Sequence, residues 1–214
     1  MSKTHSAALF FATAASMAAL ALFIAIALGI RGDTHLTYLD GLVGESLQTG
    51  QSPILSEIFR RLTRLGSWYW VGVLVLMVGV VLLWRKHYWL VAAWLCVIGG
   101  GALLERELKE LFQRPRPEYA SSFDTWSFPS GHAMASVLVC GMAVYSLAVL
   151  WPQRWRAWCA GSLLVLITLL VAFSRVYLGQ HYLSDVLGAM AAGFGWVAAW
   201  IGAIELLRRR AIAS

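Results

Sequence analysis

An all-α bundle of six membrane-spanning helices is the fold this sequence predicts. Three observations predict it. Hydrophobic residues make up 59% of the chain and charged residues 13%, against about 45–50% and about 25% in soluble domains. The apolar residues gather into six runs of membrane-crossing length. The ends and links of those runs alternate in charge pattern from one side to the other. So little charge cannot coat a water-facing surface, so much of this chain faces lipid. Backbone groups in lipid must be satisfied within their own segment, which makes each run a helix.

The first run covers 7–30, about 24 residues, longer than the roughly 7–15 apolar residues of a signal-peptide core. It reads as an uncleaved span. The loop at 31–67 is long. Within it Ile54, Leu55, Ile58, Phe59, Leu62 and Leu65 recur at helical spacing, with Glu57, Arg60, Arg61 and Arg64 largely between them. That pattern predicts an amphipathic helix, lying on the outer membrane surface or packed over the bundle. Five further spans follow at 68–84, 88–104, 132–151, 158–174 and 183–207. Small residues in the last (Gly188, Ala189, Ala192, Gly193, Gly195) and the Gly99-Gly100-Gly101 run suit close helix packing. No repeat or low-complexity tract divides the chain, and a single domain over 1–214 is expected.

Lys3, the link Arg85-Lys86-His87, the link with Arg154 and Arg156, and Arg208 to Arg210 alternate as one side, which the positive-inside rule makes cytoplasmic. The opposite loops mix their bases with Asp33, Asp40, Glu45, Glu105, Glu107 and Glu110. Trp68, Tyr69 and Trp70 are expected at the outer interface, and Trp84, Trp89, Trp151, Trp155 and Trp158 at the inner one. The expected location is a bacterial inner membrane, with both termini in the cytoplasm and the outer loops facing the periplasm or exterior. The net charge of +6 therefore reflects span flanks and argues against a nucleic-acid partner. Cys96, Cys140 and Cys159 lie inside apolar runs without a CxxC partner and read as small buried hydrophobes. The chain has no asparagine, so N-linked glycosylation is excluded.

Three polar clusters remain, all on the outer side. Lys109 to Pro117, with Arg116, offers cations at a helix exit, suited to an anion or to snorkelling towards headgroups. Pro129-Ser130-Gly131-His132 opens a span. Its backbone N–H groups can face an anion, Ser130 can donate a hydrogen bond or cap the helix, and Gly131 permits close approach. Ser174-Arg175 through His181 to Asp185 puts a histidine and a carboxylate four apart at a helix start, hence on one face. A carboxylate on one imidazole nitrogen leaves the other free to attack; an interfacial ion pair is the plainer alternative. A metal site is disfavoured by Lys109, Arg116 and Arg175, which would repel a cation, and no cofactor is implied.

In this order the clusters closely resemble the signature of the type-2 phosphatidic acid phosphatase superfamily: lysine, six residues, Arg-Pro; Pro-Ser-Gly-His; then Ser-Arg, five residues, histidine, three residues, aspartate. Every signature position is present. The resemblance implies a metal-independent lipid phosphate phosphatase. His181 would be the nucleophile, passing through a phosphohistidine. Asp185 would orient it. His132 would protonate the leaving oxygen and then activate water. Lys109, Arg116, Ser130, Gly131 and Arg175 would hold the phosphoryl oxygens. The substrates implied are undecaprenyl diphosphate, phosphatidylglycerophosphate or phosphatidate, with a lean to the first because that carrier is released on the outer face. A lipid phosphotransferase, and a non-enzymatic lipid transporter or binder, are the competing expectations. The segment between Pro117 and Pro129 is short, which leaves little room for a lid.

Overall fold

The computed structural model describes residues 3–32, 35–121, 125–151 and 153–213. Asp33 lies outside them, as do the side chains of Lys3, Arg154 and Arg209. Eight α-helices follow in chain order: α1 (Lys3–Arg31), α2 (His35–Thr49), α3 (Pro53–Leu62), α4 (Trp68–Trp84), α5 (Tyr88–Phe112), α6 (Gly131–Leu150), α7 (Arg154–Tyr177) and α8 (Leu183–Ala213). A 3₁₀ turn, Thr63–Gly66, joins α3 to α4. There is no strand among the described residues. Helices α1, α5, α6, α7 and α8 are each long and apolar enough to cross a membrane. Helix α4 and the α3 segment, bent by 51° from one another, make a sixth when the pair is counted as one span. The all-α architecture is thus observed, with five to six candidate spans.

Helix α6 is the hub. It packs against α4, α5, α7 and α8 and buries Ala133, Met134, Ala135, Leu138 and Met142 completely. Helix α1 lies along α8. The small residues let these backbones close up. A Cβ on Gly101 would meet Leu138 at 2.3 Å, one on Gly188 would meet Phe128 at 2.4 Å, and one on Gly195 would meet Ala19 at 3.2 Å. Indoles inside the bundle find partners: Trp94 Nε1 donates to Ser146 Oγ (3.0 Å) and Trp196 Nε1 to the Val97 carbonyl (3.0 Å). Trp84, Trp151, Trp155 and Trp158 are exposed, as interfacial residues should be.

Several boundaries differ from the sequence expectation, and the differences matter for the site. Helix α5 does not stop at Leu104. It continues two turns to Phe112, ending at Gln113 in the left-handed conformation (φ 46°), so Glu105 and Lys109 are helical and stand one above the other. Helix α7 runs to Tyr177, which places Arg175 inside its last turn and not in a loop. His181 precedes α8 and is not part of it. Helix α2 was not anticipated. Gly41 and Gly44 interrupt its pattern, and its packing is made by distant partners: a Cβ on Gly44 would collide with Tyr119 Oη at 1.8 Å. Helix α3 is amphipathic as expected, and it packs on the bundle. Phe59 buries itself against Phe173 and Tyr177 (ring centroids 5.6 and 4.9 Å), while Ile54 and Ile58 remain exposed beside the Glu57 pairs to Arg60 and Arg61.

Candidate active site

All three polar clusters meet at one end of the bundle, where α5 and α7 finish and α6 and α8 begin. They line a cavity of about 800 Å³ whose walls include Lys109, Arg116, Gly131, His132, Arg175 and His181. Every residue singled out in the sequence sits in or directly behind this wall.

His181 is delivered by a tight turn after α7. Gly179 makes the turn possible: its φ is +67°, and a Cβ there would strike Tyr119 and Gln48 within 3 Å. The backbone N–H groups of Gln180 and His181 then both donate to the Arg175 carbonyl (3.0 and 3.3 Å). His181 Nδ1 faces Asp185 Oδ2 at 3.6 Å. Ser127 bridges the two: its hydroxyl donates to Asp185 Oδ2, and its oxygen lies 3.4 Å from His181 Nδ1. With Nδ1 engaged on this side, Nε2 faces Arg116, whose Nη1 is 3.4 Å away. Burial pushes the His181 imidazole down to about 4, against the opposing pull of Asp185. It is therefore neutral at physiological pH, with its lone pair on Nε2 if Nδ1 carries the proton.

Asp185 has no exposed surface, and a buried charge must be paired. Its principal partner was not anticipated from the sequence. Arg114 Nη1 donates to Asp185 Oδ1 (2.6 Å) and Ser184 Oγ (2.7 Å), and Arg114 Nη2 donates to Asp40 Oδ2 (2.8 Å). The guanidinium also lies over the Tyr182 ring, 4.2 Å from its centroid. Asp40, from α2, accepts from the Ser184 N–H (2.9 Å) and hydroxyl. The Tyr182 N–H completes Asp185 (2.9 Å to Oδ2). A chain of contacts thus runs from Asp40 through Arg114 and Asp185 to the neutral His181. The repeated Arg-Pro-Arg-Pro at 114–117 hints at a second working arginine. Nothing in sequence spacing links it to Asp40.

The anion-holding groups stand opposite. Ser130 is at the N-cap of α6 but makes no side-chain cap, which corrects that alternative. Its hydroxyl is buried and lacks a partner, and so is Arg175 Nε. Buried polar atoms in this condition call for an explanation, and both belong to residues expected to grip phosphoryl oxygens. Arg175 Nη1 is held by Thr63 Oγ1 (3.2 Å) from the 3₁₀ turn. Arg116 is braced by the Thr125 carbonyl and hydroxyl (2.9 and 2.8 Å) and by the Gln180 carbonyl (2.9 Å). Lys109 Nζ bonds the Trp126 carbonyl (2.8 Å) and Glu105 (3.3 Å). The first N–H groups of α6, Gly131 to Ala133, have no intrahelical acceptor and carry the positive helix end. The arrangement can bind a tetrahedral oxyanion, with a neutral imidazole at one edge and a second histidine, His132, on the same wall.

Comparison with known proteins identifies the family and the fold. The family model described as the PAP2 superfamily matches residues 89–209. Phosphatidylglycerophosphatase B of Bacillus subtilis is 33% identical over 150 residues, covering 67% of this chain and 72% of the relative. The crystal structure of a transmembrane PAP2-type phosphatidylglycerolphosphate phosphatase from Bacillus subtilis superposes with a TM-score of 0.83 at 26% identity, covering 90% of this chain and 96% of that one. Aquifex aeolicus LpxE shares the fold, with a TM-score of 0.60 at 21% identity over 78% of this chain and 95% of that one.

Proposed function

The chain belongs to the PAP2 superfamily and is a multi-pass membrane lipid phosphatase, and from this we propose that it hydrolyses a lipid phosphomonoester by way of a phosphohistidine on His181. The observation that carries the proposal is the gathering around one cavity, which His181 and Arg175 line, of the His181–Asp185 pair with two partnerless buried donors, Ser130 Oγ and Arg175 Nε.

In the proposed cycle the phosphoryl oxygens lie among Lys109, Arg116, Arg175, the Ser130 hydroxyl and the N–H groups opening α6. These charges stabilise the transferring group. His181 Nε2 attacks phosphorus, and the bond from phosphorus to the leaving oxygen breaks. His132 gives that oxygen its proton. His132, now neutral, takes a proton from water as the water attacks the phosphohistidine, which returns His181 and releases inorganic phosphate. Asp185 keeps Nδ1 occupied and meets the imidazolium charge that develops. No step draws on a metal ion.

Phosphatidylglycerophosphate is the first candidate substrate, because the Bacillus subtilis relatives carry that activity in their names. Undecaprenyl diphosphate and phosphatidate are the other arms of the test. We place the site at the periplasmic or outer face of a bacterial inner membrane, with both termini in the cytoplasm and the whole chain one domain. The charge pattern of the links supports this orientation. The deciding experiment measures phosphate release from the three lipids by purified protein in detergent with chelator present. Release by wild type and its loss in folded His181→Ala supports the proposal. Transfer of label to an added lipid alcohol, in place of release to water, would favour the phosphotransferase. Wild-type turnover in His181→Ala would sink the mechanism.

A further inference from the structure

The cavity holds one buried charge that the proposed mechanism does not use. Glu105 is 7% exposed and stands one helical turn below Lys109 on α5. Its carboxylate lies 3.3 Å from Lys109 Nζ, with the Trp68 indole close by over Gly131. It also lies 2.8 Å from where a Cβ on Gly131 would be. It therefore rests against the opening turn of α6, beside His132. A carboxylate in this position opposes the binding of a phosphate dianion, and burial without a use would be costly.

Depth shows what Glu105 meets. Helix α5 ends at the site, so four residues back along it is about 6 Å towards the bilayer centre. The cavity continues past Glu105 to Ala102. This stretch of wall gives a lipid whose phosphoryl group lies at His181 a place to lay its leaving group.

We propose that Glu105 is a specificity-determining residue: it accepts a hydrogen bond from a hydroxyl on the leaving alcohol and repels a second phosphate at that place. The site is thereby matched to a phosphomonoester of a hydroxyl-bearing alcohol, as in a glycerol headgroup. It is set against a diphosphate, whose second phosphate is bonded directly to the transferred one, whereas the phosphodiester of phosphatidylglycerophosphate stands a glycerol further off. A diacylglycerol leaving group, with neither hydroxyl nor charge, stands between. The inference rests on the phosphatase reading above.

The test compares kcat/KM for phosphatidylglycerophosphate, phosphatidate and a polyprenyl diphosphate in mixed micelles with chelator. Wild type is expected to prefer them in that order. Glu105→Gln keeps the volume and removes the charge. It should raise the diphosphate-to-phosphatidylglycerophosphate ratio by about tenfold or more, the scale of one charge-assisted hydrogen bond, and change phosphatidate least. Glu105→Asp keeps the charge and should keep the wild-type order even if slower, which guards against a folding defect in the first variant. An equal fall on all three lipids in Glu105→Gln would reduce the residue to an anchor for Lys109 and overturn the proposal. A wild-type preference for the diphosphate would overturn it as well, while leaving the phosphatase intact. No phosphate from any lipid would instead bring down the underlying reading.

Discussion

Replacing Arg114 by glutamine removes the cation that the buried Asp185 and Asp40 share. The guanidinium makes bonds of 2.6 and 2.8 Å to the two carboxylates, and these residues are 0% and 2% exposed. After the substitution Asp185 keeps Ser127 and the Tyr182 N–H, and Asp40 keeps Ser184, but both lose the cation bonded to them. Breaking a buried ion pair from one side costs about 3–5 kcal/mol, a large part of the roughly 5–15 kcal/mol by which a protein is stable. In a chain of this length that is a fall in apparent Tm of about 6–20 °C. Scanning fluorimetry in detergent reads it directly. The double variant Asp40→Asn with Arg114→Gln leaves one bare carboxylate in place of two, so it should regain part of the loss and not add to it. A Tm within about 2 °C of wild type for Arg114→Gln, or strict additivity in the double variant, would refute the view that these charges hold one another.

Three further outcomes are expected. His181 should titrate near 4 by histidine-selective NMR in detergent, because burial depresses it. Its folded value lies below its unfolded value of about 6.5, so the stability it contributes is complete above about 6.5 and is lost as the pH falls towards 4; His181→Gln should flatten that part of the pH–stability curve. Ser130→Ala and Arg175→Lys should each lower kcat by about 10²–10³, as the removal of one well-placed oxyanion donor does, and a loss below threefold in steady-state assays would count against their proposed grip. Gly188→Val forces a side chain into Phe128 and should cost about 1–3 kcal/mol by overpacking, visible as a lowered Tm, with activity falling too because Phe128 neighbours Ser127.

The membrane spans were legible because their signal is local: each is a continuous apolar run, and Trp-rich ends and basic links mark its limits. The main site residues were legible because His181 and Asp185, or Pro129 to His132, lie close in sequence. What escaped was what the fold alone assembles. Arg114 meets Asp40 across 74 residues and Asp185 across 71. Ser127 reaches Asp185 across 58. Helix α2 carries Asp40 on a face whose partners lie in α8 and the loop before α6, so its own pattern is weak. Glu105 was counted among loop acids because the apolar run ends at Leu104, whereas the helix continues past it on hydrogen bonds that hydropathy does not register.

The central claim, a phosphohistidine on His181, is most directly tested with His132→Ala and p-nitrophenyl phosphate. This leaving group departs without an acid, so the first step should proceed while the water step, lacking its base, stalls. The account expects a burst of nitrophenolate equal to the protein present, and an alkali-stable, acid-labile phosphoryl group on the peptide containing His181. Linear release without a burst, or label on any other residue, would contradict it.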